Sequence, residues 1–416
     1  MRLLLLGAML GMALAGPAFA DQASDSAATC GDRVATPDQR IAACSWLIPS
    51  GLLDPKGLAT VYFNRGNAFG AKADYDHAIQ DFDQAARLNP GDAPTFAGRG
   101  LAYAHKNDFD HAIDDFSQSL QLRPGDAEVL ADRAQAYRRK GDFDHAIQDD
   151  DQAIRLNPGD YSAFNNRGLA YGAKGDLKRA IQDYNQALQL KPDYVRALRN
   201  RGLAYAAMPF PDRAIPDLDK VIALNPTDAA AFSSRGYSQY VLGKSELAFA
   251  DLDQAIRLRP NDAEAYYRRA RAHVGNHAYS NQVEYDQTIQ DYTQAIRLKP
   301  DYADAYFGRC QMLLLHDKAL AAARSDCLLA ATYAPRDTMI RWSLGQIDFQ
   351  LGRFADAAAD GDAVLKIDPK DAASLFLRGA ARRRTGDTTG GDADIAAAKA
   401  LHSYIAEEQK EFGIIP

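Results

Sequence analysis

Three observations predict an all-α protein, an α-solenoid of about ten helix-turn-helix units. Residues 93–126 carry two apolar-periodic runs, Phe96 to Ala104 and Ala112 to Leu122, separated by a polar turn at Lys106 to Asp108 and stopped by Pro124. That pattern is two amphipathic helices joined by a short turn. The motif recurs upstream and downstream at a spacing of 34 residues. With so short a period each unit touches only its neighbours, so 416 residues make one elongated stack rather than two or three compact domains. Third, at 47% hydrophobic and 25% charged, the composition is that of a folded globular chain.

Small residues stand where the two helices must approach closely, Gly100 on the first and Ala112 on the second. Tyr103 and Phe116 fill the space around them. In its period and its order of Gly, Tyr, Ala, aromatic and Pro the stretch resembles the tetratricopeptide repeat. The resemblance covers about residues 59–400 and implies a right-handed solenoid of tetratricopeptide units.

The chain opens Met1-Arg2-Leu3-Leu4-Leu5-Leu6-Gly7, continues apolar and reaches Ala18-Phe19-Ala20 before Asp21. A charged start, a short apolar core and an A-x-A site predict a signal peptide over 1–20, cleaved after Ala20. The mature chain is then expected in the periplasm or secreted, with no membrane insertion. Residues 21–58 read as an arm and a capping helix. The arm, 21–35, is small and polar and expected to be loose. Thr36-Pro37-Asp38 starts the capping helix, which runs Gln39 to Ile48, stops at Pro49-Ser50-Gly51 and seals the first unit's apolar face.

The solenoid occupies 59–400, with units beginning at Ala59, Ala93, Ala127, Tyr161, Val195, Ala229, Ala263, Ala303, Thr338 and Ala372. The seventh carries six extra residues in its turn, around Asn276 to Glu284, and the eighth carries one. Within 401–416, Leu401 to Phe412 reads as a closing helix. Three units depart from the pattern. In the third, Asp150 takes the slot of Phe82, Phe116 and Tyr184, which predicts a loosened, wetter spot. In the fifth, Pro209 and Pro211 stiffen the turn, and Pro216 falls in or just past the first turn of the second helix. In the tenth, Gly390 and Gly391 predict fraying.

Two constellations repeat. Arg precedes the first-helix small residue in nine units, among them Arg99, Arg167 and Arg235. Asp lies three residues past the second-helix small residue in all ten, among them Asp115, Asp183 and Asp251. On antiparallel helices these positions lie nearly opposite, which predicts a partly buried Arg–carboxylate pair inside each unit. The ninth has Leu344 at the Arg position, so its Asp360 must find another partner. The four cysteines of a chain read as exported predict two disulfides. Cys310 and Cys327 occupy facing slots of the eighth unit. Cys44 falls at the same second-helix slot of the cap, with Cys30 on the arm before it. The pairing is Cys30–Cys44 and Cys310–Cys327.

Catalytic signals are thin. A net charge of −7 gives no electrostatic footprint for nucleic acid. His77, His111 and His145 recur at one slot but in separate units, too far apart for one metal ion. His273, His277, Glu284 and Asp286, around the insertion, are the single metal-like cluster. Residues Ser238 to Ser245 lack the first Gly of a phosphate-binding loop and lie on a helix rather than between strand and helix. Too few residues lie outside the repeats for a catalytic domain. No enzyme, cofactor or metal is therefore expected.

The resemblance implies that function lies on the concave face, built from first helices and typically used to hold a peptide segment. Positions resembling that face are small or polar early, as at Asn67, Ala97, Ala131 and Asn165. From the sixth unit they turn aromatic: Tyr237, Tyr240, Tyr267, Phe307, Trp342, Phe349 and Phe376, with Leu314, Arg271 and Gln346 beside them. Aromatics with an Arg dominate binding hot spots; the competing reading packs these rings between neighbouring first helices. The Lys/Asn/Arg carboxylate clamp of chaperone-binding relatives is absent, its places taken by Phe63, Asn67, Gly98, Glu128 and Asp132, of which Asn67 alone fits. The expected function is a non-catalytic exported scaffold binding a protein or peptide segment. The alternative is a structural or assembly component of a cell-envelope complex that uses convex or end surfaces.

Overall fold

Aspartate writes the helix starts of this chain. A carboxylate at the N-cap accepts an orphan backbone N–H and faces the positive end of the helix dipole. Asp54, Asp74, Asp92, Asp108, Asp126, Asp142, Asp160 and Asp176 each cap a helix in this way. Turns are closed by residues with positive φ, Gly141 and Gly175 among them, and by Asn107 where no glycine is present.

The computed structural model describes residues 17–208, 210–275, 282–317 and 319–416. Most of the leader, together with Pro209 and His277, lies outside them. Two bodies divide the chain, residues 1–204 and 205–416. The first opens with α1 (Pro17–Gly31) and α2 (Pro37–Leu47). Four hairpins follow: α3 (Pro55–Ala71) with α4 (Tyr75–Leu88), α5 (Ala93–His105) with α6 (Phe109–Leu122), α7 (Ala127–Lys140) with α8 (Phe143–Leu156), and α9 (Tyr161–Ala173) with α10 (Leu177–Leu190). The boundary falls near the end of α11 (Val195–Ala206).

In the second body α12 (Pro211–Leu224) precedes five hairpins. These are α13 (Ala229–Val241) with α14 (Ser245–Leu258), α15 (Ala263–Gly275) with α16 (Gln282–Leu298), α17 (Ala303–Met312) with α18 (Leu320–Tyr333), α19 (Thr338–Gln350) with α20 (Phe354–Leu365), and α21 (Ala372–Arg384) with α22 (Thr388–Leu401). The short α23 (Ile405–Glu411) comes last. Within each body a first helix packs on its own second helix, and that second helix packs on the next first helix. Each body is thus a run of α-solenoid; among the described residues there is no strand.

The core is a row of small residues wedged between aromatics. A Cβ at Gly100 would stand 2.8 Å from the Phe116 ring, and one at Gly168 would stand 2.6 Å from Tyr184. The repeating glycine is therefore set by close approach, with packing at interior density.

Several local expectations need correction. The arm is not loose: α1 is helical through residues 21–31, with Ala23 buried and Cys30 packed among Ala43, Cys44 and Leu47 of the cap. The helix that carries the start of the first unit begins at Pro55, four residues ahead of Ala59, because Asp54 caps it and Pro55 suits the first helical position. Asp150 is not in a wet spot but is 1% exposed. Burial pushes its carboxyl up to about 8, opposed by the charge of Arg138, and its Oδ1 has no hydrogen-bond partner.

Gly390 and Gly391 do not fray α22. Asp387 accepts from the Gly390 N–H, and a Cβ on Gly391 would sit 2.7 Å from the Gly379 carbonyl, so glycine lets α22 touch α21. Part of the seventh unit's insertion is helix: α16 has 17 residues against 14 in α14. The extra residue of the eighth is taken up in a π-turn at Leu313–Asp317, the usual way a helix accommodates a one-residue insertion. Pro216 is the sixth residue of α12, past the first turn.

Candidate functional site

Eight of the Arg positions read from the sequence, Arg65, Arg99, Arg133, Arg167, Arg235, Arg269, Arg309 and Arg378, reach a carboxylate across the hairpin with two parallel bonds. Arg99 donates from Nε and Nη2 to Asp115 at 2.8 and 2.6 Å, Arg167 to Asp183 at 2.9 and 2.6 Å, and Arg235 to Asp251 at 2.7 Å twice. The hydrogen bond to its carboxylate, foremost, holds each of these guanidiniums above the usual arginine range. Asp360, lacking an Arg at Leu344, takes Arg341 Nη1 at 3.2 Å instead. Burial, only partly offset by Arg341, leaves its carboxyl raised to about 6.

The remaining guanidinium nitrogen does something the pairing argument missed. Nη1 of Arg99 donates to Asp83 of the preceding second helix, Arg167 to Asp151, Arg235 to Asp219, Arg269 to Asp253 and Arg378 to Asp362, at 2.6 to 2.7 Å. Where no carboxylate is present, Ser117, Asn185 and Thr293 accept from Arg133, Arg201 and Arg309. One side chain thus ties three helices together, and the ladder joins units as well as halves of units. It is saturated with its own partners and leaves no free cation row for a ligand.

Both cysteine pairs stand at bonding distance. The Cα atoms of Cys30 and Cys44 are 5.0 Å apart, and those of Cys310 and Cys327 are 5.6 Å apart. The three histidines lie on separate turns: Nδ1 of His77, His111 and His145 pairs with Asp74, Asp108 and Asp142, and the rings stack on Phe69, Tyr103 and Tyr137. His273 stacks on Phe249 at 4.4 Å, and burial lowers its affinity for a proton. No group of three metal-ligating side chains occurs among the described residues.

Of the first-helix residues singled out, those of α13, α15 and α17 form a half-buried surface. Tyr237 and Tyr240 lie 6.0 Å apart between ring centroids. Exposed Arg271 donates to the Tyr267 hydroxyl at 3.2 Å, and its guanidinium lies over that ring. Phe307 and Leu314 pack against the core around the second cysteine pair with part of each side chain open. The α19 residues differ. Gln346 and Phe349 are 6% and 5% exposed, and Trp342 meets Phe412 edge-on at 5.2 Å. They are not an open surface, because the segment after α23 turns back over α19 and α21. Gln350 Nε2 donates to the Phe412 carbonyl at 2.7 Å, and Arg384 Nη2 donates to the Ile415 carbonyl at 3.2 Å.

Tetratricopeptide-repeat profiles match residues 59–92, 93–126, 134–175, 169–208, 199–263, 233–288, 328–372 and 343–404. The chain is a tetratricopeptide-repeat protein. No curated protein matches its sequence.

Among solved tetratricopeptide structures, MamA is 26% identical over 41% of this chain and 93% of its own, with a TM-score of 0.38. YrrB, described as a TPR protein with an unusual peptide-binding site, is 21% identical over 45% and 96%, with a TM-score of 0.39. A monomeric IFIT1 mutant determined with Gppp-AAAA is 13% identical over 91% and 100%, with a TM-score of 0.52, and shares the fold. As a tetratricopeptide-repeat protein the chain belongs with protein-interaction scaffolds. No described helix is long and apolar enough to cross a membrane.

Proposed function

We propose that this tetratricopeptide-repeat protein is a non-catalytic, exported scaffold that holds a peptide segment against the first helices of units six to eight. The observation that supports it most is the run of half-open aromatic side chains on the first helices α13, α15 and α17, with Arg271 exposed among them. Rings of this kind offer a large, rigid contact area, and an Arg at their edge pairs with a ligand carbonyl or carboxylate. Export is supported by the leader-like start and by two cysteine pairs at disulfide distance. Cleavage after Ala20 removes only the first turn of α1 and keeps Cys30.

Selection of binders from a displayed peptide library, followed by Tyr240→Ala, Tyr267→Ala and Phe307→Ala in one chain, tests the groove. Selected peptides are expected to bind the parent at least tenfold more tightly than the variant, with helical content unchanged; three lost hot-spot contacts at about 1 kcal/mol each are more than enough. Equal binding to both chains rules the groove out and moves the reading to a component that joins an assembly through convex or end surfaces.

A further inference from the structure

We infer that the first-helix groove of units nine and ten is a second segment-binding site, for an apolar peptide that turns at a glycine, and that residues 412–415 of the chain itself occupy it as a displaceable internal ligand. The inference rests on the groove being a segment-binding surface and extends it to two units whose face, marked in the sequence by Trp342, Gln346, Phe349 and Phe376, is covered in the structure.

Beyond the packing of α23 itself, the segment after it is gripped through its main chain. Gln350 and Arg384 are the same position of successive units, 34 residues apart in the chain. They donate to the carbonyls of Phe412 and Ile415, which are three residues apart in the occupant. One unit of the stack is thus matched to three residues that leave the C-terminal turn of α23, where the Gly413 N–H donates to the Lys410 carbonyl and the Ile414 N–H to the Gln409 carbonyl, and the grip runs through main-chain carbonyls that any peptide carries. Side chains give selectivity: Phe412 stands edge-on to Trp342, and Ile414 is fully buried among Phe349, Phe376 and their neighbours. Gly413 adopts φ +75, and a Cβ there would come within 3.3 Å of Gln350 Nε2. The ligand class read from this seat is bulky apolar, glycine, aliphatic, aliphatic.

The same seat is imperfectly filled. The indole Nε1 of Trp342 is buried and has no hydrogen-bond partner, and neither does Oε1 of Gln409, a residue 3% exposed on α23. Unpaired buried polar atoms penalise the occupied state. Phe412 and Ile415 also keep 41% and 51% of their surface in solvent. A separate segment of like sequence, placing one further carbonyl against Trp342 Nε1, makes the two carbonyl bonds to Gln350 and Arg384 and one that the internal segment does not, while it forgoes the bonds of the Phe412, Gly413 and Ile414 N–H groups to α23. The internal segment lowers the apparent affinity for such a partner by the fraction of time it stays seated.

The test deletes Phe412 to Pro416 and titrates the chain with the hexapeptide Glu-Phe-Gly-Ile-Ile-Pro, capped at both ends, following Trp342 emission or heat. The truncated chain is expected to bind, the parent about tenfold or more weakly. Adding Gln350→Ala and Arg384→Ala to the truncated chain should abolish the difference. If deletion unfolds units nine and ten, Gly413→Ala in the full chain unseats the segment with the chain intact, and the same gain in binding is expected. A folded truncated chain that ignores the peptide, or a parent that binds it equally well, overturns the inference and leaves 412–415 as a cap on the stack. Tyr240→Ala, Tyr267→Ala and Phe307→Ala should not move this titration, so failure here and failure of the groove in units six to eight are read separately.

Discussion

Arg167 shows how much one residue carries. Its guanidinium holds Asp183 across the hairpin with two bonds and Asp151 of the preceding unit with the third nitrogen. Asp183 is 5% exposed, so removing its charge strands a largely desolvated cation. Asp183→Asn is expected to cost about 3 kcal/mol in urea unfolding. Asp151→Ala, at the wetter rim, should cost about 1 kcal/mol or less. Equal losses at the two sites would mean that the intra-unit pair has no special weight.

Asp150 is the opposite case, a carboxylate without a matched cation. Its folded-state value of about 8 lies above the ordinary carboxylate value of 3.8. The folded state therefore holds a proton that the unfolded state releases. The resulting stability is fully present below about pH 4 and is lost as pH rises toward 8. Asp150→Leu, which places the residue used at Leu218 and Leu252 in the same slot, should add about 2 kcal/mol at pH 8 and flatten the pH dependence between 4 and 8. A variant with the parent's pH profile would show that Asp150 does not titrate in that window.

Among the elements, α17 and α18 depend on a tie the other hairpins lack. The turn between them contains a π-turn in place of the positive-φ closure, by Gly, Asn107 or Ala73, seen in other hairpins. Cys310 and Cys327 stand in the slots that Gly100 and Phe116 fill in the second unit. Replacing both with Ala removes the cross-link and the packing together. It should lower stability by about 3 kcal/mol, with amide exchange accelerating first in residues 303–333. Gly391→Ala tests the contact of α22 with α21; its Cβ has no room beside the Gly379 carbonyl, and a loss of about 1–3 kcal/mol is expected. No loss would restore the picture of a frayed end.

These elements also show what a sequence discloses. Helix pairs, the intra-unit Arg–Asp bonds and the Cys310–Cys327 pair were legible because each is tied to a slot that returns every 34 residues, and Cys30 follows as the partner of Cys44 once that pair is assigned. The inter-unit arm of the ladder was fainter, since its acceptor varies among Asp, Ser, Asn and Thr two residues past the repeating Asp. The covering of Trp342, Gln346 and Phe349 was not legible at all. It depends on residues 412–415, which occur once and carry no period. Hydrophobic pattern marks a face that will be buried without naming what buries it.

For the molecule as a whole, the decisive property is that chemistry at each junction is nearly the same, so units should be removable. Excising residues 93–126, the second unit, leaves the second helix of the first unit beside the first helix of the third. Arg133 then finds Asp83 in place of Ser117, a carboxylate for a hydroxyl, and its bond to Asp149 is untouched. The Lys140 ammonium, which pairs with Asp110, meets Asp76 at the equivalent place, the present partner of Lys106. One contact worsens: Phe82 now presses on Asp132 rather than on Gly98, whose missing Cβ lies within 3.0 Å of the ring. In a quasi-one-dimensional stack, stability is a sum of unit and junction contributions. The shortened chain should therefore fold with the same helicity per residue by circular dichroism and unfold at a somewhat lower urea concentration. Adding Asp132→Gly should recover part of that loss. A shortened chain that aggregates with or without Asp132→Gly would mean that order in the first body depends on contacts beyond nearest neighbours.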